Sequence, residues 1–279
     1  MKVVKQSGHY VDFDREKLRK SMIRSGADAA LVDNVVQKIS ASIYDGISTR
    51  KIYKLAFSLL KKESSSHAAR YNLKGALQML GPAGFFFEKF IARLFESQGY
   101  QTEVNCFLQG TCVTHEIDVV AQKNEITAMI ECKFHATPAA VTDVKVPMYI
   151  LSRFNDIKPL PHKLMGQHQN ITTCILVTNS RFTSDALAFG TCCGLTLLSW
   201  DYPKHENIRH LIDRERLYPI TCLTTLTAVE KEKVLIQGII LVSDLPDQSF
   251  ILEAIGLSPQ RIKNVLQEIR ELTKTKLTI

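Results

Sequence analysis

The sequence lacks both a zinc-binding cysteine pattern and an apolar segment that would cross a membrane. Its seven cysteines form no C-x-x-C motif, and the adjacent Cys192 and Cys193 are the one close pair, so no structural zinc site is expected. No apolar run approaches the roughly 18 residues that a spanning helix needs, and the first residues lack the apolar core of a signal segment. We therefore expect a protein of the reducing cytoplasm with no membrane partner.

Negative charge is scarce in the first part of the chain. Residues 1–76 hold 15 Lys/Arg and 7 Asp/Glu, whereas the remainder holds 20 basic and 21 acidic residues. The net charge of +7 is therefore a property of the front of the protein, and a positive field there favours a partner that carries phosphates. A solvated basic helical surface would give the same excess, so charge alone leaves both interpretations open.

The order of predicted elements indicates an α+β or α/β chain. Residues 1–80 have the pattern of a small β-hairpin followed by helices, with Asp14 and Ser48 at helix N-cap positions. A boundary follows at the turn-rich segment 81–84. Residues 81–202 are expected to form a mixed β-sheet flanked by helices, and residues 203–279 to be mostly helical. The elements predicted after the boundary are helices at 85–99, 141–154 and 184–193 and strands at 102–107, 116–122, 126–134, 172–178 and 195–200.

Charged residues interrupt two of these apolar strands. Asp118 follows Ile117, and Glu131 and Lys133 lie in the run that begins at Ile130. Such charges are costly to bury unless they are paired or bind a metal. Glu131 and Lys133 point to one face of their strand because side chains alternate. Carboxylates from two strands and a lysine suit a hard divalent cation and an activated water, a combination that cleaves phosphodiesters.

Residues from about 82 to 200 resemble the Mrr-like branch of the PD-(D/E)XK nuclease superfamily. The resemblance rests on four segments in order: Phe86-Phe87-Glu88, Gly99-Tyr100, Glu116-Ile117-Asp118-Val119 and Ile130-Glu131-Cys132-Lys133. It implies a restriction-endonuclease-like fold in which Asp118 and Glu131 ligate Mg²⁺ and Glu88 contacts the metal directly or through water. It also implies that Lys133 orients or activates the attacking water and stabilises charge on the phosphorus.

Several alternatives remain open within this segment. Many Mrr-like proteins have Gln at the position of Glu131, and Glu116 lies on the same strand face as Asp118; we favour Asp118 as the ligand because apolar residues surround it. An inactive fold would instead pair Asp118 or Glu131 with Lys133. Other polar residues nearby have ordinary explanations that we favour over catalytic ones: His115 and His135 as strand-end residues, and Asp143 and Lys145 as a charged helix end rather than a lining of the same cleft.

The first 80 residues resemble the ATP-cone, a regulatory nucleotide-binding domain. The matching segments are Val3–Gly8, Phe13–Leu18, Tyr44–Thr49 and His67–Tyr71. The resemblance implies binding of ATP or dATP as a regulatory ligand. The residues expected at the nucleotide are Val3, Lys5, Gln6, Gly8, Lys17, Thr49 and Tyr53.

Five of these seven residues have properties that suit the binding of a nucleotide. Lys5 and Lys17 would supply point charges to a triphosphate, and the backbone at Gly8 permits close approach. Thr49 and Tyr53, one helical turn apart, would frame the base. Gln6 stands where the family often has Arg, and Tyr53 where it often has His. A basic helical domain that binds nucleic acid or protein without nucleotide is the alternative. No Walker A sequence is present, so sensing is expected rather than hydrolysis.

The C-terminal helices give the weakest signal. Residues 252–257 with Arg261 and Lys263 resemble a helix-hairpin-helix that binds DNA backbone, with Gly256 permitting close approach of main-chain amides to phosphate. We favour a helical pair that packs on the central core or on another subunit.

Taken together, the patterns predict a Mg²⁺-dependent DNA endonuclease of the restriction or DNA-defence type, regulated by ATP or dATP. DNA and nucleotide are the expected partners, and a homo-oligomer is expected if both strands are cut. The alternatives are a nucleotide-sensing DNA-binding regulator with an inactive nuclease fold and a structure-specific repair nuclease.

Overall fold

The chain forms two units, and the second is inserted into the sequence of the first. The structure is a computed structural model that describes residues 1–5, 7–81 and 84–274. The first unit comprises Met1–Ala76 and Ile220–Ile279, and the second comprises Leu77–Pro219. The division by sequence at 80 and 202 remains a prediction, since compactness groups residues 203–219 with the central sheet.

The first unit begins with a small sheet and five helices. Strands β1 (Lys2–Val4) and β2 (Tyr10–Asp12) form the predicted antiparallel hairpin, and β3 (Ile47–Ser48) adds a third strand parallel to β1. This third strand was not predicted, because a two-residue strand carries no alternation signal. The helices are α1 (Arg15–Ile23), α2 (Ala29–Ser42), α3 (Thr49–Glu63), α4 (Ser65–Tyr71) and α5 (Leu73–Gln78).

Local sequence explains where these helices start and which face they bury. Asp14 accepts a hydrogen bond from the backbone N–H of Lys17, and Ser48 accepts one from Lys51, so both predicted N-caps are confirmed. In α3, the buried residues Ile52, Ala56 and Leu60 recur every fourth position and form one apolar stripe against the core. The sequence pattern from the serine run at 64–66 to Leu77 predicts a single fourth helix, whereas the structure divides this segment at Asn72 into α4 and α5.

The second unit is built on a mixed five-stranded sheet, as predicted. Its strand order is β12-β10-β6-β5-β4, in which β4, β5 and β6 are antiparallel and β6, β10 and β12 are parallel. The strands of this unit are β4 (Gln101–Gln109), β5 (Thr114–Lys123), β6 (Ile126–Lys133), β7 (Val141–Thr142), β8 (Pro161–Leu164), β9 (Gln167–Asn170), β10 (Thr173–Thr178), β11 (Arg181–Phe182) and β12 (Thr196–Leu198). Its helices are α6 (Phe85–Glu96), α7 (Lys145–Ile157), α8 (Ser184–Cys192) and α9 (Ile208–Glu215).

The helix expected at 141–154 is α7 (Lys145–Ile157), which both starts and ends later than predicted. Val141 and Thr142 instead form β7, which pairs in parallel with β11, a partner that lies about 40 residues away in sequence and is therefore invisible to local periodicity. Asp143 then accepts a hydrogen bond from the backbone N–H of Lys145, 3.0 Å away, at the start of α7. The β8–β9 hairpin was also not predicted, because its sequence alternates only weakly.

The C-terminal segment contributes α10 (Ala228–Ile236), α11 (Phe250–Ala254) and α12 (Pro259–Lys274) to the first unit. Three hydrogen bonds hold it against α3, α4 and α5: Lys61 Nζ to the Thr224 carbonyl (2.7 Å), Arg70 Nη2 to the Leu272 carbonyl (2.7 Å) and Thr221 Oγ1 to the Ala76 carbonyl (2.8 Å). The structure groups these helices with the first unit, whereas the sequence analysis favoured packing on the central core or on another subunit. Their attachment to α4 comes from long-range contacts that no local pattern encodes.

Glu268 anchors the turn that leads into α10. Its carboxylate is buried and accepts hydrogen bonds from the backbone N–H groups of Thr224 and Thr225 (2.7 and 2.9 Å) and from the Thr225 hydroxyl (2.6 Å). We predict that Glu268→Ala destabilises the first unit by about 2 to 4 kcal/mol, because it leaves these donors without their acceptor. Thermal unfolding of the full chain measures the effect.

The exposed Glu253 on α11 provides the control, since Glu253→Ala removes the same side chain from the surface. An unfolding temperature for Glu268→Ala equal to that of Glu253→Ala would contradict the anchoring role.

Candidate active site and nucleotide pocket

The antiparallel pairing of β5 and β6 brings the two predicted metal-binding carboxylates close together. The register pairs Val119 with Ile130, so Asp118 and Glu131 follow at the next position on each strand. The Asp118 carboxylate is half-buried, and its Oδ2 accepts a hydrogen bond of 2.6 Å from the backbone N–H of Cys132. The sheet therefore fixes Asp118 directly against the strand that carries Glu131.

Glu131 has one engaged and one unengaged carboxylate oxygen. The residue is 5% exposed, and its Oε2 lies 2.6 Å from Nη1 of Arg153 on α7. Its Oε1 is buried without a hydrogen-bond partner among the groups that the structure describes. A buried carboxylate oxygen without a donor is costly, and a cation bound there would remove that cost.

Burial and neighbouring carboxylates raise the pKa of three acidic residues at this site. Burial raises the pKa of Glu131 to about 8, with the charge of Asp118 adding to the rise and Arg153 opposing it. Burial also raises the pKa of Glu88 to about 7, and the charges of Asp118 and Glu116 add to it. The pKa of Asp118 is raised by burial as well, although the Cys132 amide lowers it. Acidic groups gathered without enough positive charge are an environment suited to a divalent cation.

These carboxylates supply the oxygen ligands that Mg²⁺ prefers, but they do not provide a complete set of protein ligands for it. Within residues 1–5, 7–81 and 84–274, no three His, Cys, Asp or Glu side chains converge closely enough to hold a metal by themselves. Mg²⁺ commonly uses one or two carboxylates and completes its shell with waters and substrate phosphate. Asp118 and Glu131 match that pattern, and the inclusion of Glu88 remains a prediction.

Lys133 lies in the same cleft as Glu131, as the alternation along β6 predicts. The cleft has a volume of about 270 Å³, and its lining includes Glu131, Lys133, Lys145, Tyr149 and Arg153. Lys133 is exposed, and in the described part of the chain it forms no ion pair with Asp118 or Glu131. The alternative of an internal salt bridge to Lys133 is therefore not what the structure has, because Arg153 pairs with Glu131 instead.

The helix glutamate Glu88 is held near Asp118 by the start of α6. Gly84 occupies the N-cap with a φ of +88°, a conformation that favours glycine, and its carbonyl accepts a hydrogen bond of 3.0 Å from the Glu88 backbone N–H. A Cβ at Gly84 would lie 3.4 Å from Oε1 of Glu88. The turn before α6 therefore leaves room for the glutamate side chain.

The other candidates near the two strands take structural positions. Glu116 is exposed, and its backbone carbonyl accepts a hydrogen bond from Nη2 of Arg153. The choice of Asp118 over Glu116 as the ligand remains a prediction. His115 Nε2 lies 2.8 Å from Oδ2 of Asp156, and His135 Nε2 lies 3.0 Å from the Thr142 hydroxyl. Both histidines thus have partners at strand ends.

Arg153 is the site residue that the sequence analysis missed. It lies on the face of α7 that also carries Val146, Ile150 and Ile157, at spacings of three and four residues. Its side chain is 13% exposed. A basic residue on the apolar face of an amphipathic helix is a signal of a buried ion pair, and this pattern would have identified it.

A wider cleft adjoins the first one and shares Tyr149 and Arg153 with it. It has a volume of about 590 Å³ and is also lined by Thr111, His115 and Asp156. Tyr149 is 63% exposed, and its ring lies 5.6 Å from the Arg153 guanidinium carbon. The carboxylate site is therefore open to a longer surface groove along α7.

Five of the seven predicted nucleotide residues line one cavity in the first unit, and Gly8 is not among the residues that line it. It has a volume of about 480 Å³, a size typical of small-molecule sites. Its lining includes Val3, Lys5, Lys17, Thr49 and Tyr53. Gly8 lies in the β1–β2 turn with a φ of +81°, and Gln6 falls outside the described residues.

Tyr71 is a further wall of this cavity and was not among the predicted binding residues. Its ring stacks on Tyr53 with centroids 4.9 Å apart and an angle of 16°, and the Tyr53 hydroxyl donates to Oδ1 of Asn72 at 2.5 Å. Burial raises the pKa of Tyr71 to about 12. The stacked pair gives this wall of the cavity an aromatic surface.

The C-terminal arginine proposed for DNA contact is engaged within the protein. Arg261 forms an ion pair with Glu230, with Nη2 lying 2.9 Å from Oε2, and also donates to the Thr225 carbonyl at 3.0 Å. These contacts tie α12 to α10 and weaken the helix-hairpin-helix interpretation.

Three family models match the chain. They are the ATP cone domain over residues 1–73, the restriction endonuclease domain over residues 82–202, and the AF1548-like C-terminal domain over residues 218–273. The fold and the matches define a nuclease-fold protein that carries a nucleotide-sensing domain.

The names of two relatives with similar sequence assign no activity to them. An uncharacterized protein of Archaeoglobus fulgidus is 35% identical over 183 residues, which are 65% of this chain and 99% of that protein. The crystal structure of the protein of unknown function AF1548 is 33% identical, with a TM-score of 0.55, over 68% of this chain and 97% of that chain. The chain belongs to the family of these proteins.

A more distant likeness is to the MspJI restriction endonuclease in complex with a 27-mer oligonucleotide, at 12% identity and a TM-score of 0.35 over 56% of this chain and 33% of that chain. No helix in the described residues is long and apolar enough to cross a membrane.

Asp156 makes one wall of the wider cleft sensitive to acid. Its hydrogen bond with His115, followed by those from the Cys112 and Val113 amides, lowers the pKa of Asp156 from 3.8 to about 2. A lowered pKa in the folded state stabilises the fold above the unfolded value, and this contribution is lost as pH falls through the folded value. We predict that the loop at 110–113 loosens between about pH 4 and pH 2.

Hydrogen exchange at the Cys112 and Val113 amides measures this loosening. Relative to the intrinsic exchange rate at each pH, Asp156→Asn should lower the protection of these amides at neutral pH and leave little further loss of protection on acidification. Equal acid dependence in the variant and the parent protein would assign the effect to another group.

Proposed function

We propose that the protein is a Mg²⁺-dependent DNA endonuclease of the restriction or DNA-defence type. The observation that carries the proposal is the buried Glu131 carboxylate next to Asp118, in the cleft that Lys133 lines. One of its oxygens has no hydrogen-bond partner in the part of the chain that the structure describes. A fold that kept these residues only for stability would pair the remaining oxygen. The match to the restriction endonuclease model over residues 82–202 supports the same chemistry.

Each residue has a distinct role in this proposal. Asp118 and Glu131 would hold Mg²⁺, with Glu88 contacting it directly or through water. Bound Mg²⁺ would neutralise charge on the scissile phosphate and favour deprotonation of an attacking water. The Lys133 ammonium, exposed at the cleft, would orient that water and stabilise the charge that develops on the phosphate oxygens.

The surroundings of the cleft support a polymeric nucleic acid substrate. The groove extends along α7 from the carboxylates into the wider cleft, past the exposed ring of Tyr149. The Lys145 side chain lines the cleft beside Lys133 and would attract a phosphate next to the scissile one. A chain of phosphates would therefore find both a reactive centre and an adjoining binding surface.

We infer further that ATP or dATP binding to the first unit regulates the nuclease. Helix α4 supports this inference, because two adjacent residues of the helix contact different parts of the first unit. Tyr71 lines the nucleotide cavity, whereas Arg70 bonds to the last turn of α12. The two points at which the chain enters and leaves the second unit are also linked, since Thr221 bonds to the Ala76 carbonyl. A shift of α4 on nucleotide binding would therefore be transmitted to the two points at which the chain enters and leaves the second unit.

Substitution of Glu131 gives the primary test. We predict that the full-length protein nicks or linearises plasmid DNA in Mg²⁺, and that Glu131→Ala lowers the rate at least about 100-fold, because a metal-binding and charge-stabilising group is lost. The control is Glu125→Ala, which removes an exposed glutamate from the turn between β5 and β6. Parallel reactions with ATP and dATP report regulation.

The outcomes separate the candidate functions. Cleavage of branched but not linear DNA would indicate a structure-specific repair nuclease. If neither unmodified nor methylated plasmid is cut while DNA is still bound, the nucleotide-sensing regulator becomes the better description. Linearisation without prior accumulation of nicked circles would indicate coordinated cutting of both strands, and therefore a homo-oligomer.

Nucleotide binding has its own test at Lys17. We predict that Lys17→Ala weakens ATP binding about tenfold, equivalent to about 1.4 kcal/mol, because a point charge toward the triphosphate is lost. Lys20→Ala is the control, since Lys20 is an exposed lysine on the same helix, α1, and does not line the cavity. Calorimetry with ATP measures both. Equal affinities in the two variants would place the triphosphate elsewhere.

A further inference from the structure

Arg153 joins three elements at the carboxylate site. From α7, its Nη1 lies 2.6 Å from Oε2 of Glu131 on β6, and its Nη2 donates to the Glu116 carbonyl on β5. The guanidinium also lies over the ring of Tyr149, one turn earlier on α7. A planar group bonded at two points and stacked at a third has little rotational freedom.

The orientation of the Glu131 carboxylate follows from this arrangement. One oxygen is fixed by the guanidinium, so rotation about the last side-chain bond is restricted. The other oxygen, Oε1, is buried and has no hydrogen-bond partner among the described groups. The arginine therefore determines which oxygen remains available for a ligand.

We propose that Arg153 is a positioning residue that fixes the Glu131 carboxylate so that Oε1 is directed at the divalent cation. The proposal rests on the proposed function, since it concerns the same metal site. Partners of this kind restrict a ligand to one orientation, and their loss typically weakens metal binding about 10- to 100-fold.

The sign of the effect separates positioning from simple electrostatics. A positive charge near a cation site repels the cation, so removal of Arg153 by charge alone would strengthen metal binding. Loss of positioning would weaken it. Lysine retains the charge but offers no planar fork, so Arg153→Lys tests the geometry at constant charge.

The experiment measures Mn²⁺ binding to the full-length protein through the electron paramagnetic resonance signal of the free ion. We expect Arg153→Lys to bind Mn²⁺ more weakly than the parent protein and Arg153→Leu to bind about 10- to 100-fold more weakly. Arg181→Leu is the matched control, because Arg181 forms an exposed ion pair with Asp201 in the same unit, 3.9 Å apart. Circular dichroism verifies folding, and Arg153→Lys preserves the test if Arg153→Leu does not fold.

The outcomes distinguish this inference from the proposed function. Mn²⁺ binding that is lost in Glu131→Ala but equal or tighter in both Arg153 variants would overturn the positioning role and leave the metal site in place. An absence of Glu131-dependent Mn²⁺ binding in the parent protein would overturn both. A second readout, the Mg²⁺ concentration for half-maximal DNA cleavage, should rise in the same order as the Mn²⁺ dissociation constants.

Discussion

The ion pair between Glu131 and Arg153 is the interaction on which the candidate active site depends. Burial of a carboxylate next to Asp118 and Glu88 is unfavourable, and Arg153 offsets part of that cost from the adjacent helix. Among the described residues only one oxygen of Glu131 has a hydrogen-bond partner, so the site keeps an unsatisfied acceptor in a low-dielectric environment. The sheet register and the position of α7 both serve this arrangement, since a shift of either would separate the arginine from the carboxylate.

A second constraint on the structure is that the sequence of the second unit is inserted into that of the first, so that the first unit is assembled from two separate segments. The nucleotide cavity, helix α4 and the C-terminal helices belong to one unit, although their sequence segments are separated by 143 residues. Tyr71 and Arg70 are neighbours in sequence, but the first lines the cavity and the second bonds to the Leu272 carbonyl. A ligand that moves one of them acts on a helix held by the other, and this is the physical basis of the nucleotide regulation that we propose.

Much of this architecture could be predicted because its signals are local. Asp14 and Ser48 cap helices through their own side chains, and the acidic residues at 118 and 131 stand out within apolar strands. Other features depend on distant partners. The β7 strand exists because Val141 and Thr142 pair with β11, and the division of the fourth predicted helix at Asn72 accompanies a hydrogen bond from Tyr53. Neither partner is visible in a window of neighbouring residues.

Local sequence patterns were enough to predict the fold class and the two strand motifs with Asp118, Glu131 and Lys133. The resemblance to the ATP-cone added five of the residues that line the cavity of the first unit. Alternation along a strand and capping of a helix are encoded within a few residues, so these features needed no tertiary information. Only the tertiary structure selected Arg153 rather than Lys133 as the partner of Glu131 and placed the C-terminal helices on α4. Both choices depend on which surfaces meet when distant segments pack, and that is decided by the complete fold.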